Sequence, residues 1–143
     1  MPKPDAKKST TVIRKAALAY FNNNQILMAR DNINDKAFYI PGGKIENGET
    51  DLDCLVRETR EELGVDLDMD SVKFLGEFEA KAHRKPGMRV NIRLFTGQLK
   101  GEPNPSSEIV ELKYFDSSMH ARNMTPILIE RIFPWLKQHG YIN

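Results

Sequence analysis

The chain has 143 residues, 40% of them hydrophobic and 29% charged, with 21 basic against 20 acidic side chains and a formal net charge of +1. That balance excludes intrinsic disorder and collagen-like repetition, and the length suffices to bury a real core. A charge so near zero supplies no global field toward nucleic acid or membrane, so any charge that matters is local.

Residues 1–9 carry two prolines, three lysines and little apolar surface, and read as a mobile tail before a single domain over 10–143. Thr10 to Phe21 is β-branched and apolar, the composition of a strand. Asn22, Asn23 and Asn24 supply turn chemistry, and QILMAR reads as the return strand of a hairpin. Asp31 to Lys36 is a polar loop, and Pro41, Gly42 and Gly43 punctuate the chain after it. Thr50 to Leu63 is the clearest helix: Thr50 caps it with Asp53 as capping-box partner, and Gly64 stands where a left-handed terminator is expected. Leu52, Leu55, Val56, Thr59 and Leu63 fall on one helical face. Strands are expected over Val72–Glu79, in MRVNIRLFTGQL and over Ile109–Phe115, with GEPNPSS as a loop. Thr125 and Pro126 open a last apolar helix that Pro134 should end or kink. The pattern predicts an α/β chain in the α+β sense, a mixed sheet flanked by helices.

Cys54 is the single cysteine, which precludes an intrachain disulfide and fits a reducing, cytoplasmic compartment. No apolar run approaches the ~18–20 residues of a membrane helix. His83, His120 and His139 show no metal-ligand spacing and read as surface residues.

The sharp chemical feature lies on the 50–63 helix. Glu58, Glu61 and Glu62 stand at i, i+3 and i+4, spanning about 100° of arc away from the apolar face. Like charges at that spacing repel, and clustered carboxylate oxygens select hard divalent cations. A solvated charged face, with Arg57 and Arg60 interleaved, is the bland alternative for such a helix.

The wider context is more specific. Gly43 to Val65 reads GKIENGETDLDCLVRETREELGV, in which Gly43, Glu49, Arg57, Glu58, Glu61, Glu62, Gly64 and Val65 stand at the positions of the Nudix box. Thr59 is the one soft departure, in place of an aliphatic residue. The chain thus resembles the Nudix hydrolases, and its element order resembles a MutT-type Nudix domain. The resemblance implies the Nudix fold, a mixed sheet sandwiched between helices, and hydrolysis of a nucleoside diphosphate linked to another group X. It implies Mg²⁺ or Mn²⁺ bound by Glu58 and Glu62, often Glu61, with the Gly43 carbonyl. Glu108, after the GEP turn, matches a region where MutT-type enzymes carry a further metal-binding glutamate, with Glu111 as the fallback. Glu58, Glu61 and Glu108 are all candidates for the general base. Glu49 and Arg57 are expected to pair structurally, and Gly64 to end the helix. Lys44 and Arg30 are candidate phosphate contacts. Arg89, Asn91 and Arg93 share a strand face and are expected to meet water, and Asn123 to cap the last helix.

Downstream signatures of particular subfamilies are missing. A proline typical of ADP-ribose hydrolases is expected about 15 residues beyond the box, and Pro86 comes too late. The tyrosine of diadenosine polyphosphate hydrolases and the NADH and coenzyme A signatures are absent. By elimination the resemblance implies a (deoxy)nucleoside triphosphate or related small nucleotide, acted on by a monomer or homodimer with no stable nucleic-acid or membrane partner. An RNA 5′ end is the alternative substrate. A non-catalytic nucleotide-sensing module is the alternative of another class, against which stands the full set of box carboxylates.

Overall fold

The computed structural model describes residues 11–32, 37–82, 85–119 and 124–143. The expected tail over 1–9, and His83, His120 and Asn123, lie outside the described residues.

Strand β1, Thr11–Ala19, runs through the run AALA and is buried on both faces from Ala16 to Ala19. Ala16 and Leu18 face one core, and Ala17 and Ala19 face the other. A strand with no wet face must be covered on both sides, and that requirement sets the layering. The strand expected as Thr10–Phe21 divides at Tyr20. β2, Phe21–Asn22, turns back through Asn23 and Asn24 into β3, Gln25–Asp31, in a different sheet. Both asparagines take positive φ, 52° and 59°, the backbone of a tight primed hairpin turn. The hairpin is therefore present, but it does not include β1.

β4, Gly42–Lys44, pairs antiparallel with β1; β5, Leu67–Lys81, and β6, Met88–Leu99, form a long antiparallel pair. β1 lies parallel to β6, so the order of this mixed sheet is β4-β1-β6-β5. β7, Ile109–Phe115, completes the second sheet, β2-β3-β7. β5 is longer than the expected Val72–Glu79. Irregular register between Asp68 and Lys73 and between Phe74 and Gly76 lets it begin at Leu67.

The helix α1, Asp51–Leu63, has the expected caps. Thr50 Oγ1 accepts from the Asp53 N–H at 3.0 Å, and the Asp53 carboxylate accepts from the Thr50 N–H at 3.1 Å. Gly64 ends the helix at φ 68°, where a β-carbon would be strained. Its buried face differs from the expected one: Leu52 is 38% exposed, while Cys54 is fully buried with Leu55, Thr59 and Leu63. The first turn overhangs the sheet, and there Asp51 reaches down to Arg93 of β6 instead.

Pro134 neither ends nor sharply breaks the C-terminal helix. A π-helical turn over Leu128–Ile132 leads into α2, Phe133–Gln138, with Pro134 in its first turn. Proline has no N–H to offer the carbonyl four residues back, and the Phe133 N–H bonds the Leu128 carbonyl in a wider ring just before it. One core lies between the sheets and this C-terminal segment, the other against α1.

The capping box carries a stability expectation. Thr50→Ala should lower unfolding free energy by about 1 kcal/mol in chemical denaturation, with an unchanged m-value. An unaltered midpoint would show that the cap is redundant.

Candidate active site

The β4–α1 contact builds the site. Gly42 lies beside Ala17 of β1, and its N–H donates to Glu62 Oε1 at 2.8 Å. Glu62 is 5% exposed although it lies one turn beyond Glu58 on the helix flank. Its Oε2 accepts from the Tyr39 hydroxyl at 3.3 Å, and that hydroxyl also lies 3.2 Å from Asp31 Oδ2. Tyr39 is held by reciprocal backbone bonds with Ala29 of β3, at 2.8 and 2.9 Å. This one carboxylate is thus fixed from both sheets, by Gly42 of β4 in the first and by Tyr39, bridged to β3, in the second. Burial pushes the Glu62 carboxyl up to about 8, with Glu58 and Glu108 adding repulsion and the Gly42 N–H opposing it. Burial likewise raises Glu58 to about 7, against the stabilising charge of Arg57.

Gly43 is the second point of close approach. A β-carbon there would stand 1.9 Å from Glu58 Oε2, so any larger residue would displace this carboxylate from where it now lies. The Gly43 carbonyl accepts from the Cys54 thiol at 3.4 Å, which turns it toward α1. Burial pushes that thiol up to about 11, and it remains protonated and unreactive at neutral pH.

Arg57 organises the outer edge. Its guanidinium forks onto Glu49, with Nε 2.7 Å from Oε2 and Nη2 3.0 Å from Oε1. Nη2 also donates to the Lys44 carbonyl, and Nη1 lies 3.3 Å from Glu58 and 3.6 Å from Glu61. The Arg57 bonds, and the Glu46 N–H, hold Glu49 down to about 2. As the side chains stand, no three acidic, histidine or cysteine groups among the described residues converge closely enough to hold a cation. Each inner carboxylate instead rests on a protein partner, Glu62 on Gly42 and Glu58 on Arg57.

Glu108 arrives from the other side. The loop after Gly101 docks on the open end of α1: the Asn104 N–H bonds the Leu63 carbonyl at 2.9 Å, and the Ser106 N–H bonds the Glu62 carbonyl at 3.2 Å. These satisfy helix-end carbonyls and bring Glu108 to the rim of the cavity that Glu58, Glu61 and Glu62 line. That cavity holds about 450 Å³. Beside the acids, Lys15, Lys44, Lys81 and Lys85 also line it, and its apolar wall includes Ile40, Ile92, Ile127 and Leu128.

Two sequence expectations are placed elsewhere. Arg30 is not a lining residue. It bonds Glu111 at 2.9 Å across the second sheet, which also occupies the fallback acid. Arg89, Asn91 and Arg93 do not simply face water: Arg89 pairs with Glu79, Arg93 with Asp51 and Glu77, and Asn91 is buried at 3% exposure among them. Sequence reasoning missed Asp31, Tyr39, Lys15, Lys81 and Lys85. The available signal was alternation, because Phe38 and Ile40 enter the core and leave Tyr39 on the opposite side.

A buried carboxylate, Glu62, with the half-buried Glu58 one helical turn away and a backbone carbonyl beside them, is chemically suited to a divalent cation and a phosphate group. The NUDIX domain profile matches residues 12–136, and the chain belongs to the Nudix family. Among curated proteins it is similar to the mRNA-decapping enzyme subunit 2 of Saccharomyces cerevisiae, at 28% identity over 120 residues. That match covers 82% of this chain but 12% of the length of the relative. Its fold is shared with the MutT protein of Methanosarcina mazei, at TM-score 0.74 and 17% identity over 92% of this chain and 96% of that one. The MutT Nudix hydrolase of Burkholderia pseudomallei gives TM-score 0.69 and 19% identity over 81% and 92%. No helix among the described residues is long and apolar enough to cross a membrane.

The raised carboxyl of Glu62 has a consequence for stability. Its folded value of about 8 exceeds the ordinary 4.5, so the folded state holds a proton that the unfolded state has lost. That contribution is complete below about pH 4.5 and disappears as pH rises through about 8. Metal-free protein should therefore melt at a lower temperature near pH 9 than near pH 5, and Glu62→Gln should flatten the difference. A pH dependence identical in the two proteins would contradict this burial.

Proposed function

We propose that the protein is a metal-dependent pyrophosphohydrolase of a small nucleotide, best read as a (deoxy)nucleoside triphosphate. The observation that carries this reading is one cavity, of about 450 Å³, in which Glu58 and Glu62 face lysines beside an apolar wall. That volume lies within the ~300–1,000 Å³ of small-ligand sites. Acids to gather a cation, lysines for phosphate and an apolar surface for a base are the three parts a nucleotide needs.

Glu58 and Glu62, with Glu61 and the Gly43 carbonyl, would hold Mg²⁺ or Mn²⁺, and such a cation would supply charge neutralisation and Lewis-acid polarisation of the phosphate groups. The protein's own groups do the remainder. The Gly42 N–H and Tyr39 hydroxyl fix Glu62, and Arg57 fixes Glu58 and Glu61. Lys15 and Lys44 draw phosphate into the cavity. Glu108 is an exposed carboxylate at the rim with no ion-pair partner among the described residues, and in this reading it accepts the proton of an attacking water.

The 28% identity to a yeast mRNA-decapping subunit favours a second reading, an RNA 5′ end as substrate. Against it stands a net charge of +1, where polyanion binding usually leaves a basic footprint.

A panel of nucleoside triphosphates, nucleoside diphosphate conjugates and capped and triphosphorylated RNA, assayed with Mg²⁺ and Mn²⁺, tests both readings. Turnover of a free nucleotide, with ¹⁸O from water in one product, is expected; turnover of RNA alone would transfer the assignment to the second reading. In the active reaction Glu108→Gln should lower kcat by ~10²-fold or more, with loss of the acidic limb of the pH profile at saturating metal. An unchanged profile would pass the proton to Glu58 or Glu61.

A further inference from the structure

Lys15 and Lys44 are direct cross-strand partners, Lys15 on β1 against Lys44 on β4. Like charges opposite one another on a sheet are destabilising, and natural sheets usually avoid them. Lys85, in the turn between β5 and β6, and Lys81, at the end of β5, line the same cavity. Lys44, Lys81 and Lys85 are exposed at its rim, whereas Lys15 is partly buried within it. None of the four forms an ion pair or side-chain hydrogen bond with a described residue. The arginines Arg30, Arg57, Arg60, Arg89 and Arg93 are all paired with carboxylates.

The four lysines also have a direction. Along β1, Ala17 stands opposite Gly42, where Glu62 is held, Lys15 opposite Lys44, and Ile13 beside Val90 of β6. Successive inward residues on a strand are about 7 Å apart. Lys15 and Lys44 are thus one step from the carboxylates, and Ile13 is one step farther. Burial is the main cause that lowers the Lys15 ammonium below its usual value, with the nearby charge of Lys85 next. The charges of Glu62 and Glu58 favour the Lys15 ammonium in part, but no ion pair among the described residues neutralises the lysines, and the cavity keeps positive charge leading away from the acids.

We propose that this lysine row is an anion arm selecting substrates whose X group is itself multiply charged, a phosphate chain or a phosphorylated group, over those whose X is a neutral sugar. The inference rests on the pyrophosphohydrolase reading and names the substrate class within it. A neutral X would leave Lys15 desolvated and unpaired, whereas a phosphate chain would supply its missing partners. Lys15 and Lys44 contact the phosphate nearest the carboxylates, and Lys81 and Lys85 the charge beyond it.

Two measurements decide it. Inorganic tripolyphosphate is titrated into metal-free protein by calorimetry, and kcat/KM is compared for a nucleoside triphosphate and the matching nucleoside diphosphate sugar. Tripolyphosphate should bind, and Lys15→Met and Lys85→Ala should each weaken it by about tenfold, the usual loss for one charge-assisted contact. The ratio of kcat/KM for triphosphate over diphosphate sugar should fall by a similar factor in each variant. Lys15→Met should also raise the melting temperature of the metal-free protein, because it removes a partly buried charge that faces the like charges of Lys44 and Lys85. Lys85→Ala, at an exposed turn, keeps the test intact if Lys15→Met misfolds. Tripolyphosphate binding equally well to wild type and Lys85→Ala, or an unaltered substrate ratio, would overturn the anion arm while leaving the hydrolase reading in place. Tripolyphosphate binding that depends on the lysines, in a protein that cleaves neither substrate, would support the arm and overturn the hydrolase reading instead.

Discussion

Burying one carboxylate, and half-burying another one helical turn away, costs free energy that must be offset by partners. In this fold the offset is local and backbone-based. The Gly42 N–H meets Glu62, and Gly43 leaves room for Glu58, which a β-carbon there would force to shift. The glycine pair belongs to β4, only three residues long, and β4 is held by pairing with β1. The position of β1, buried on both faces and parallel to β6, thus transmits to the acids through two hydrogen-bonded strands.

The remaining parts brace the same contact from other directions. Tyr39 reaches Glu62 from the second sheet, and its backbone is locked to Ala29. Arg57 holds the outer acids while Glu49 holds Arg57, so the guanidinium is fixed before anything binds. The Asn104 and Ser106 amides tie the Glu108 loop to the end of α1. Burial, with repulsion from neighbouring acids, raises the Glu58 and Glu62 carboxyls, and perturbed groups in a cleft are candidates for function.

Local chemistry made α1 legible in the sequence. The capping residues, the terminating glycine and the acidic flank all follow from spacing within one helix, and the box motif adds identity to that spacing. What escaped was set by distant contacts. The split at Tyr20 depends on which sheet each strand joins, and pattern alone does not encode that choice. Leu52 and Cys54 exchanged places because helical periodicity gives an apolar arc but not the edge of the sheet beneath it. Arg30 reads as a free cation until β7 places Glu111 opposite it. Lys15 sits in an apolar run and reads as a strand residue, and only the pairing of β1 with β4 turns it toward the acids.

The central claim is that Glu58, Glu62 and the Gly43 carbonyl form the cation site. The most direct measurement is a crystal structure with Mn²⁺ and a non-hydrolysable nucleotide, with the metal located by its anomalous scattering. The account predicts Mn²⁺ between the Glu58 and Glu62 carboxylates and the Gly43 carbonyl, with phosphate oxygens completing its coordination. Mn²⁺ bound elsewhere, with Glu62 still on the Gly42 N–H and Glu58 still on Arg57, would contradict it.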